Sequence, residues 1–321
     1  MTSPVSPTPI LPADASRHWD LSQVVSGLRA AREDWRLSQQ RTREYGGREY
    51  PSRDALKQIV ADLRGALFPM RLGPADLRQE GEDYYVGHTL DIALHALNHQ
   101  ILLELGLHHR LDGRYPAETE RMSGQIVRAF GHALPEIRRL LDSDVLAAFR
   151  GDPAARSVDE VLLCYPGVLA IIHHRLAHQL YRLGLPLIAR IIAELAHAET
   201  GIDIHPGARI GGSFFIDHGT GVVIGETSVI GERVRIYQAV TLGAKRFHTA
   251  DDGSLEKGQP RHPMVEDDVV IYAGATILGR ISIGRGSSIG GNVWLTRSVA
   301  PGSQITQASS QQEAVTQEHP S

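Results

Sequence analysis

Branched apolar residues recur every six positions through the last third of the chain. Val265, Ile271, Ile277, Ile283, Ile289 and Leu295 keep that step, as do Ile224, Ile230, Ile236 and Leu242, and before them Ile204, Ile210 and Ile216. Between them lie Gly, Ala, Ser, Thr and Asn, in runs such as Ile283-Gly284-Arg285-Gly286. This period matches neither an α-helix nor the simple alternation of a half-buried strand. It predicts a solenoid with three flat faces per coil, one hexad to a face, each turning one aliphatic side chain inward. Small residues suit the corners, where the backbone turns tightly. The β-solenoid is expected over residues 201–300.

Upstream, from about residue 19 to 200, the apolar positions follow helical spacing instead. Leu21, Val24, Val25, Leu28 and Trp35 mark a helix over 19–40, and Pro51-Ser52-Arg53 starts another over 54–68. A long amphipathic helix is predicted over 83–107, and one over 116–149 with an interruption before Pro135. Gly151-Asp152-Pro153 breaks the pattern, because Pro disfavours a helical residue before it. Helix resumes over 158–183 with a break at Pro166-Gly167, and Pro186 opens a last helix that ends at Gly201. The expected architecture is therefore α+β in sequence order, a helical domain over 19–200 followed by the solenoid. Residues 1–18 and 301–321, rich in Pro, Ser, Thr and Gln, are expected to be disordered tails.

The repeat slips twice. Ile216 and Ile224 lie eight apart, so Asp217-His218-Gly219-Thr220-Gly221 carries two extra residues. Leu242 and Val265 lie twenty-three apart, so a polar loop over 245–264, with Lys245, His248 and Lys257, leaves the solenoid and closes with Arg261-His262-Pro263. Repeat proteins tend to place function where they depart from the repeat.

Composition narrows the chemistry. With 321 residues, 42% hydrophobic, 22% charged and a net charge near −4, the chain has no basic stripe to track a phosphate backbone. Its single cysteine, Cys164, excludes an internal disulfide and a Cys-based zinc site, and its apolar neighbours suggest a packing role. No stretch reads as a signal peptide or a membrane span, and a cytoplasmic enzyme is expected.

His218 stands at the first slip, and His is the usual general base near neutral pH. Asp203 lies some two and a half hexads earlier, so the two side chains can approach on adjacent rungs. A carboxylate on one ring nitrogen fixes the tautomer and stabilises the imidazolium formed when the other takes a proton.

Several segments together resemble serine O-acetyltransferase of the hexapeptide-repeat acyltransferases. They are Asp203-Ile204-His205-Pro206-Gly207-Ala208, Ile216-Asp217-His218-Gly219-Thr220-Gly221, Ile224-Gly225-Glu226-Thr227, Gln238-Ala239-Val240-Thr241-Leu242-Gly243, Arg261-His262-Pro263 and Ile289-Gly290-Gly291-Asn292-Val293. Asp152-Pro153-Ala154 and the helix through Arg175 and His178 extend the likeness to residues from about 150 to 300. The resemblance implies a left-handed parallel β-helix and acetyl transfer from acetyl-CoA to L-serine in cysteine biosynthesis. It implies His218 as base with Asp203 as its partner, and Asp152, Asp217, Arg261 and His262 as ligands of the amino acid. Glu226 matches a family position near the site, with a structural corner role as the alternative. Gly243, Ala244, Ala273 and Gly291 match places along the CoA groove. The resemblance further implies a homotrimer or a dimer of trimers, its active site between neighbouring prisms.

Serine is a zwitterion, so its ammonium suits a carboxylate and its carboxylate suits a guanidinium. The chain ends in Glu318-His319-Pro320-Ser321 rather than in Ile, which argues against a complex with O-acetylserine sulfhydrylase. Alternatives of other kinds are acetyl transfer to homoserine or a sugar, a non-catalytic scaffold, and a hexapeptide-repeat carbonic anhydrase using His205, His218 and His262 around a metal. Asp91, His95 and His99, and His174 with His178, have metal-ligand spacing, yet polar positions at helix contacts are expected there, and no metal.

Overall fold

The structure, a computed structural model, describes residues 21–40, 46–112, 116–245 and 258–308. The expected tail over 1–18, most of that over 301–321, and His248 and Lys257 of the loop lie outside them. The chain divides into two units, 1–47 and 48–321. The first contributes helix α1 (Leu21–Ser38), which carries the predicted apolar stripe but buries none of its residues.

In the second unit, α2 (Arg53–Leu67) starts under the Ser52 cap and is followed by the short α3 (Pro69–Leu72). Then come α4 (Glu82–Asp112), α5 (Pro116–Gly151), α6 (Val158–Cys164), α7 (Pro166–Arg182) and α8 (Pro186–Thr200). Gly201 closes α8 at φ 70°, as its position predicts. Two expectations need correction. Helix α5 runs through Pro135 without interruption. Leu134, Ile137 and Leu141 on either side of the proline are buried, and that packing outweighs the ~3 kcal/mol cost of a lost hydrogen bond and a ring clash. Cys164 is exposed, not packed, because it sits on the last turn of a seven-residue helix whose one buried residue is Val161.

The solenoid follows the six-residue step. Its first face stacks β1 (Asp203–Ile204), β4 (Val223–Ile224), β7 (Thr241–Gly243), β10 (Thr276–Leu278) and β13 (Trp294–Leu295). The second stacks β2 (Arg209–Ile210), β5 (Val229–Ile230), β8 (Met264–Val265) and β11 (Ser282–Ile283). The third stacks β3 (Phe215–Asp217), β6 (Arg235–Tyr237), β9 (Val270–Ile271), β12 (Ser288–Ile289) and β14 (Gln304–Ile305). All pairings are parallel, and the six-step residues fall in register: Ile204 on Ile224, Ile224 on Leu242, Leu242 on Ile277, Ile277 on Leu295. Every six-step position is buried except the half-buried Ile210. Burying one such side chain contributes about 1.5–3 kcal/mol, so the column supplies the solenoid with its core. Strand β14 carries the solenoid past residue 300.

One buried ion pair joins the helices to the first coil. Arg175 of α7 donates from Nε and Nη2 to the two carboxylate oxygens of Asp144 of α5, at 2.6 and 2.9 Å. Its side chain is 5% exposed and that of Asp144 1%. Arg175 also donates to the carbonyls of Ile210 (3.3 Å) and Gly211 (2.8 Å), while Asp144 accepts the N–H of Phe214 at 2.9 Å. Burial pushes the Asp144 carboxyl upward, and the guanidinium opposes it.

Arg175→Met strands a buried carboxylate and is expected to cost about 3–5 kcal/mol in urea unfolding. The double change Asp144→Leu with Arg175→Met is expected to recover most of that loss. Equal instability of the single and double variants would show that the pair's charges do not govern the docking.

Candidate active site

The first slip in the repeat reshapes one corner of the prism, where the chain passes from the third face to the first. In the regular coils a single left-handed residue makes this turn: Ala239 (φ 58°), Gly274 (72°) and Asn292 (56°), and Gly221 (78°) is its counterpart in the slipped coil. The two extra residues add His218 (φ 60°) and Gly219 (91°) to it. His218 is thus held in a region a side chain disfavours, with 72% of its own side chain exposed. Its Nε2 lies 3.8 Å from Asp217 Oδ1.

Asp217 is itself fixed, because Arg235 Nη2 donates to its Oδ2 at 2.6 Å. The same guanidinium donates from Nη1 to the Gly151 carbonyl at 2.7 Å and lies against the rings of Phe215 and Tyr237. Arg235 therefore clamps the end of α5 onto the third face. Asp152 follows directly, taking the Ala154 N–H on Oδ1 (2.8 Å) and the Tyr165 hydroxyl on Oδ2 (2.5 Å). The Tyr165 bond, then that from Ala154, holds the Asp152 carboxyl below its usual range; the same bond pushes the Tyr165 phenol up to about 12. Of the predicted residues, Asp152, Asp217 and His218 come together here. Arg235 and Tyr165 escape sequence reasoning, since nothing in their own neighbourhoods reveals that β6 lies on β3 or that α7 begins beside Asp152.

A second cluster forms where the first face passes to the second. Glu226 accepts from Arg261 Nη2 at 2.7 Å and from the Tyr181 hydroxyl at 3.1 Å. Burial pushes the Glu226 carboxyl up, but these two bonds, together with the charges of His205 and Arg261, more than offset it and hold it low. His262 Nδ1 accepts the Thr227 N–H at 3.0 Å, and Arg280 Nη1 donates to the carbonyls of Thr227 (2.7 Å) and His262 (3.0 Å). Burial, with Arg261 adding to it, pushes His262 down to about 4. A side chain at Gly225 would collide with the Cδ2–Nε2 edge of His262, so only glycine lets the ring lie there. His205 shares this corner, its Nδ1 accepting from Gly207 N–H at 3.0 Å and its ring edge-on to Tyr181.

The remaining predicted residues divide between the same two places. Ala273 and Gly291 belong to the first corner, where Asn292 N–H donates to the Ala273 carbonyl at 2.9 Å. Gly243 and Ala244 lead into the second. Asp203 opens the first face, in register with Val223, and no hydrogen bond or ion pair joins it to His218 among the described residues. Its carboxylate gathers instead with Glu194 and His197 of α8, their ligand atoms within 4.8 Å of one another. Glu194 is already paired with Arg190 at 2.9 Å. Of the proposed metal-binding histidines, His205 and His262 share the second corner and His218 occupies the first. His95 is exposed beside Asp91, while His174 and His178 stack on one another along α7, with His178 Nδ1 2.8 Å from the Pro206 carbonyl of the first coil, and burial pushes both down.

Tyr165→Phe removes the bond that does most to hold Asp152 low, so its carboxyl, followed by carbon NMR, is expected to titrate closer to the usual range. Because the folded value lies below the unfolded one, the bond adds stability above about pH 4 and loses it as pH falls through the folded value. The variant is therefore expected to lose less stability on acidification; an unmoved Asp152 signal would remove Tyr165 as the cause.

No family model matches the chain. A serine acetyltransferase of Synechococcus elongatus is 59% identical over 295 residues, which cover 91% of this chain and 92% of that one. A serine acetyltransferase of Mycobacterium tuberculosis is 51% identical over 158 residues, 49% of this chain and 65% of its own. The crystal structure of Entamoeba histolytica serine acetyltransferase 1 in complex with L-cysteine matches with a TM-score of 0.67 and 38% identity, over 77% of this chain and 85% of that chain. The Neisseria gonorrhoeae enzyme in complex with serine matches at 0.51 and 27% identity, over 79% and 95%. No helix among the described residues is long and apolar enough to cross a membrane. With the helices, the parallel solenoid and nine-tenths of the sequence all in agreement, the chain belongs to the serine acetyltransferases, a family of acyltransferases.

Proposed function

We propose that this chain transfers acetyl from acetyl-CoA to the hydroxyl of L-serine, giving O-acetyl-L-serine for cysteine biosynthesis in the cytoplasm. Beyond the family, one observation carries this reading: groups suited to an ammonium and a hydroxyl proton stand at one corner, and groups suited to a carboxylate stand at another. Asp152 and Asp217 flank His218 at one, and Arg261 and His262 sit at the other. A zwitterionic amino acid with a reactive hydroxyl needs all of these groups.

Within one chain the two corners stand a full face apart, roughly 15–20 Å at ~3.3 Å per residue, too far for one serine to bridge. The first corner of one protomer is therefore completed by the second corner of a neighbour. Such a contact is head-to-tail and closes into a ring, with a trimer as the natural result for a three-faced prism. The CoA arm would lie in the groove between prisms, Ala273 and Gly291 on one wall, Gly243 and Ala244 on the other.

In the reaction His218 takes the hydroxyl proton as the serine oxygen attacks the thioester carbonyl. Backbone N–H groups near Gly243 receive the oxyanion. The tetrahedral adduct then expels CoA, whose sulfur takes the proton back from His218. Asp203 holds the imidazole once substrate and neighbour are in place, since catalytic hydrogen bonds often tighten only in the assembled complex. Glu226 serves to aim Arg261 at the serine carboxylate.

Release of CoA from acetyl-CoA, followed with a thiol reagent, tests the acceptor with L-serine, L-homoserine and none compared. Serine-dependent release is expected; release that prefers homoserine, or ignores serine, removes the assignment. His218→Ala is expected to lower kcat about 10²–10⁴-fold while acetyl-CoA still binds. Arg261→Ala is expected chiefly to raise KM for serine. When the two variants are unfolded and refolded together and assayed at a serine concentration far below the raised KM of Arg261→Ala, randomly mixed oligomers should regain activity in about a quarter of their sites, those uniting two intact halves. Mixed oligomers without activity would place both halves of the site on one chain.

A further inference from the structure

The second corner contains a knot of hydrogen bonds whose directions can be assigned without ambiguity. Thr227 Oγ1 accepts two backbone N–H groups, from Arg261 at 2.9 Å and from His262 at 3.1 Å. Its own proton is left to point elsewhere, and His262 Nδ1 lies 2.9 Å away. The Thr227 backbone N–H reaches that same nitrogen at 3.0 Å. A backbone N–H can only donate, so Nδ1 must present its lone pair, and a proton there would face two donors. The ring proton of His262 therefore resides on Nε2. That atom has no hydrogen-bond partner among the described residues, and it lies beside Gly225, next to the Arg261–Glu226 pair.

We infer that Thr227 is a positioning residue: it holds His262 as the neutral Nε2–H tautomer, so that His262 serves the site as a fixed hydrogen-bond donor beside Arg261 and never as a base. The inference rests on the proposed reading of this corner as the serine-carboxylate half of the site. A carboxylate, the ligand expected there, takes one bond from the guanidinium and one from the imidazole N–H. The charged groups that face the ring are Arg261, Glu226, His205 and Arg280. Burial and the three basic neighbours oppose a second proton, and Glu226, already bound by Arg261, is the sole group favouring it. Proton transfer is thereby left to His218 at the other corner. Arg280 holds the knot from outside through the Thr227 and His262 carbonyls.

The test has one arm without activity and one with it. In histidine-labelled full-length protein, nitrogen–proton correlation spectra distinguish the tautomers, and the His262 signals are assigned by their absence in His262→Gln. They are expected to show the Nε2–H pattern and to stay fixed from about pH 5.5 to about pH 8.5. An Nδ1–H pattern, or titration within that window, overturns the inference whatever the enzyme does. In the kinetic arm, Thr227→Val keeps the shape and the backbone N–H but loses the hydroxyl. It is expected to raise KM for serine about threefold to tenfold, the worth of one hydrogen bond, with a smaller change in kcat and none in KM for acetyl-CoA. Thr227→Ser restores the hydroxyl and is expected to return KM to near the wild-type value. Equal behaviour of the Val and Ser variants overturns the role of the hydroxyl. Absence of serine-dependent release by the wild-type protein overturns the underlying function instead, leaving the tautomer to be judged by NMR.

Discussion

The docking of the helices on the solenoid turns on one pair of charges removed from water. Arg175 and Asp144 each hold part of the other and part of the first coil, so neither helix can slide without stranding a buried ion. Such a pair adds little net stability, because desolvation consumes most of the Coulombic gain. Its effect lies in geometry. By fixing the last turns of α5, it sets where Gly151 and Asp152 emerge, and Arg235 then fastens that end to the third face. The Asp152 carboxylate thus owes its place to a pair about two turns back along α5.

The solenoid contributes the opposite quality, monotony. Parallel rungs in register give each corner the same local environment, and the apolar column leaves only the outward positions free to carry chemistry. The proposed chemistry falls where the repeat is broken. Two added residues force His218 and Gly219 into left-handed backbone and swing the imidazole out of the prism. After β7 the chain rejoins the solenoid through Arg261 and His262 at the second corner, a whole face away from His218.

Polar groups at both corners are largely spoken for before any ligand arrives. Asp152, Asp217 and Glu226 each have a hydrogen-bond donor in the chain itself, and His262 spends one nitrogen on Thr227. What remains available is small and directional: Asp217 Oδ1, the exposed ring of His218, the N–H groups of Arg261 that Glu226 does not hold, and the Nε2–H of His262. Rigidity of this kind lowers the cost of ordering side chains around a small substrate.

The period of six, the helix boundaries at Ser52, Pro166, Pro186 and Gly201, and the two slips at which the candidate corners form were legible in the sequence, because each depends on residues near one another along the chain. The same locality misled at Pro135, where packing from distant helices overrode a local breaker, and at Cys164, whose apolar neighbours said nothing of the exposed end of a short helix. Arg235 with Asp217, Tyr165 with Asp152 and Thr227 with His262 were invisible, since each pair meets only through strand register or helix docking. Which of the candidate residues share a corner was likewise beyond the sequence. Spacing along a chain fixes the face on which a side chain falls, but the distance between corners belongs to the folded prism, and that distance separates the carboxylates and His218 from Arg261 and His262.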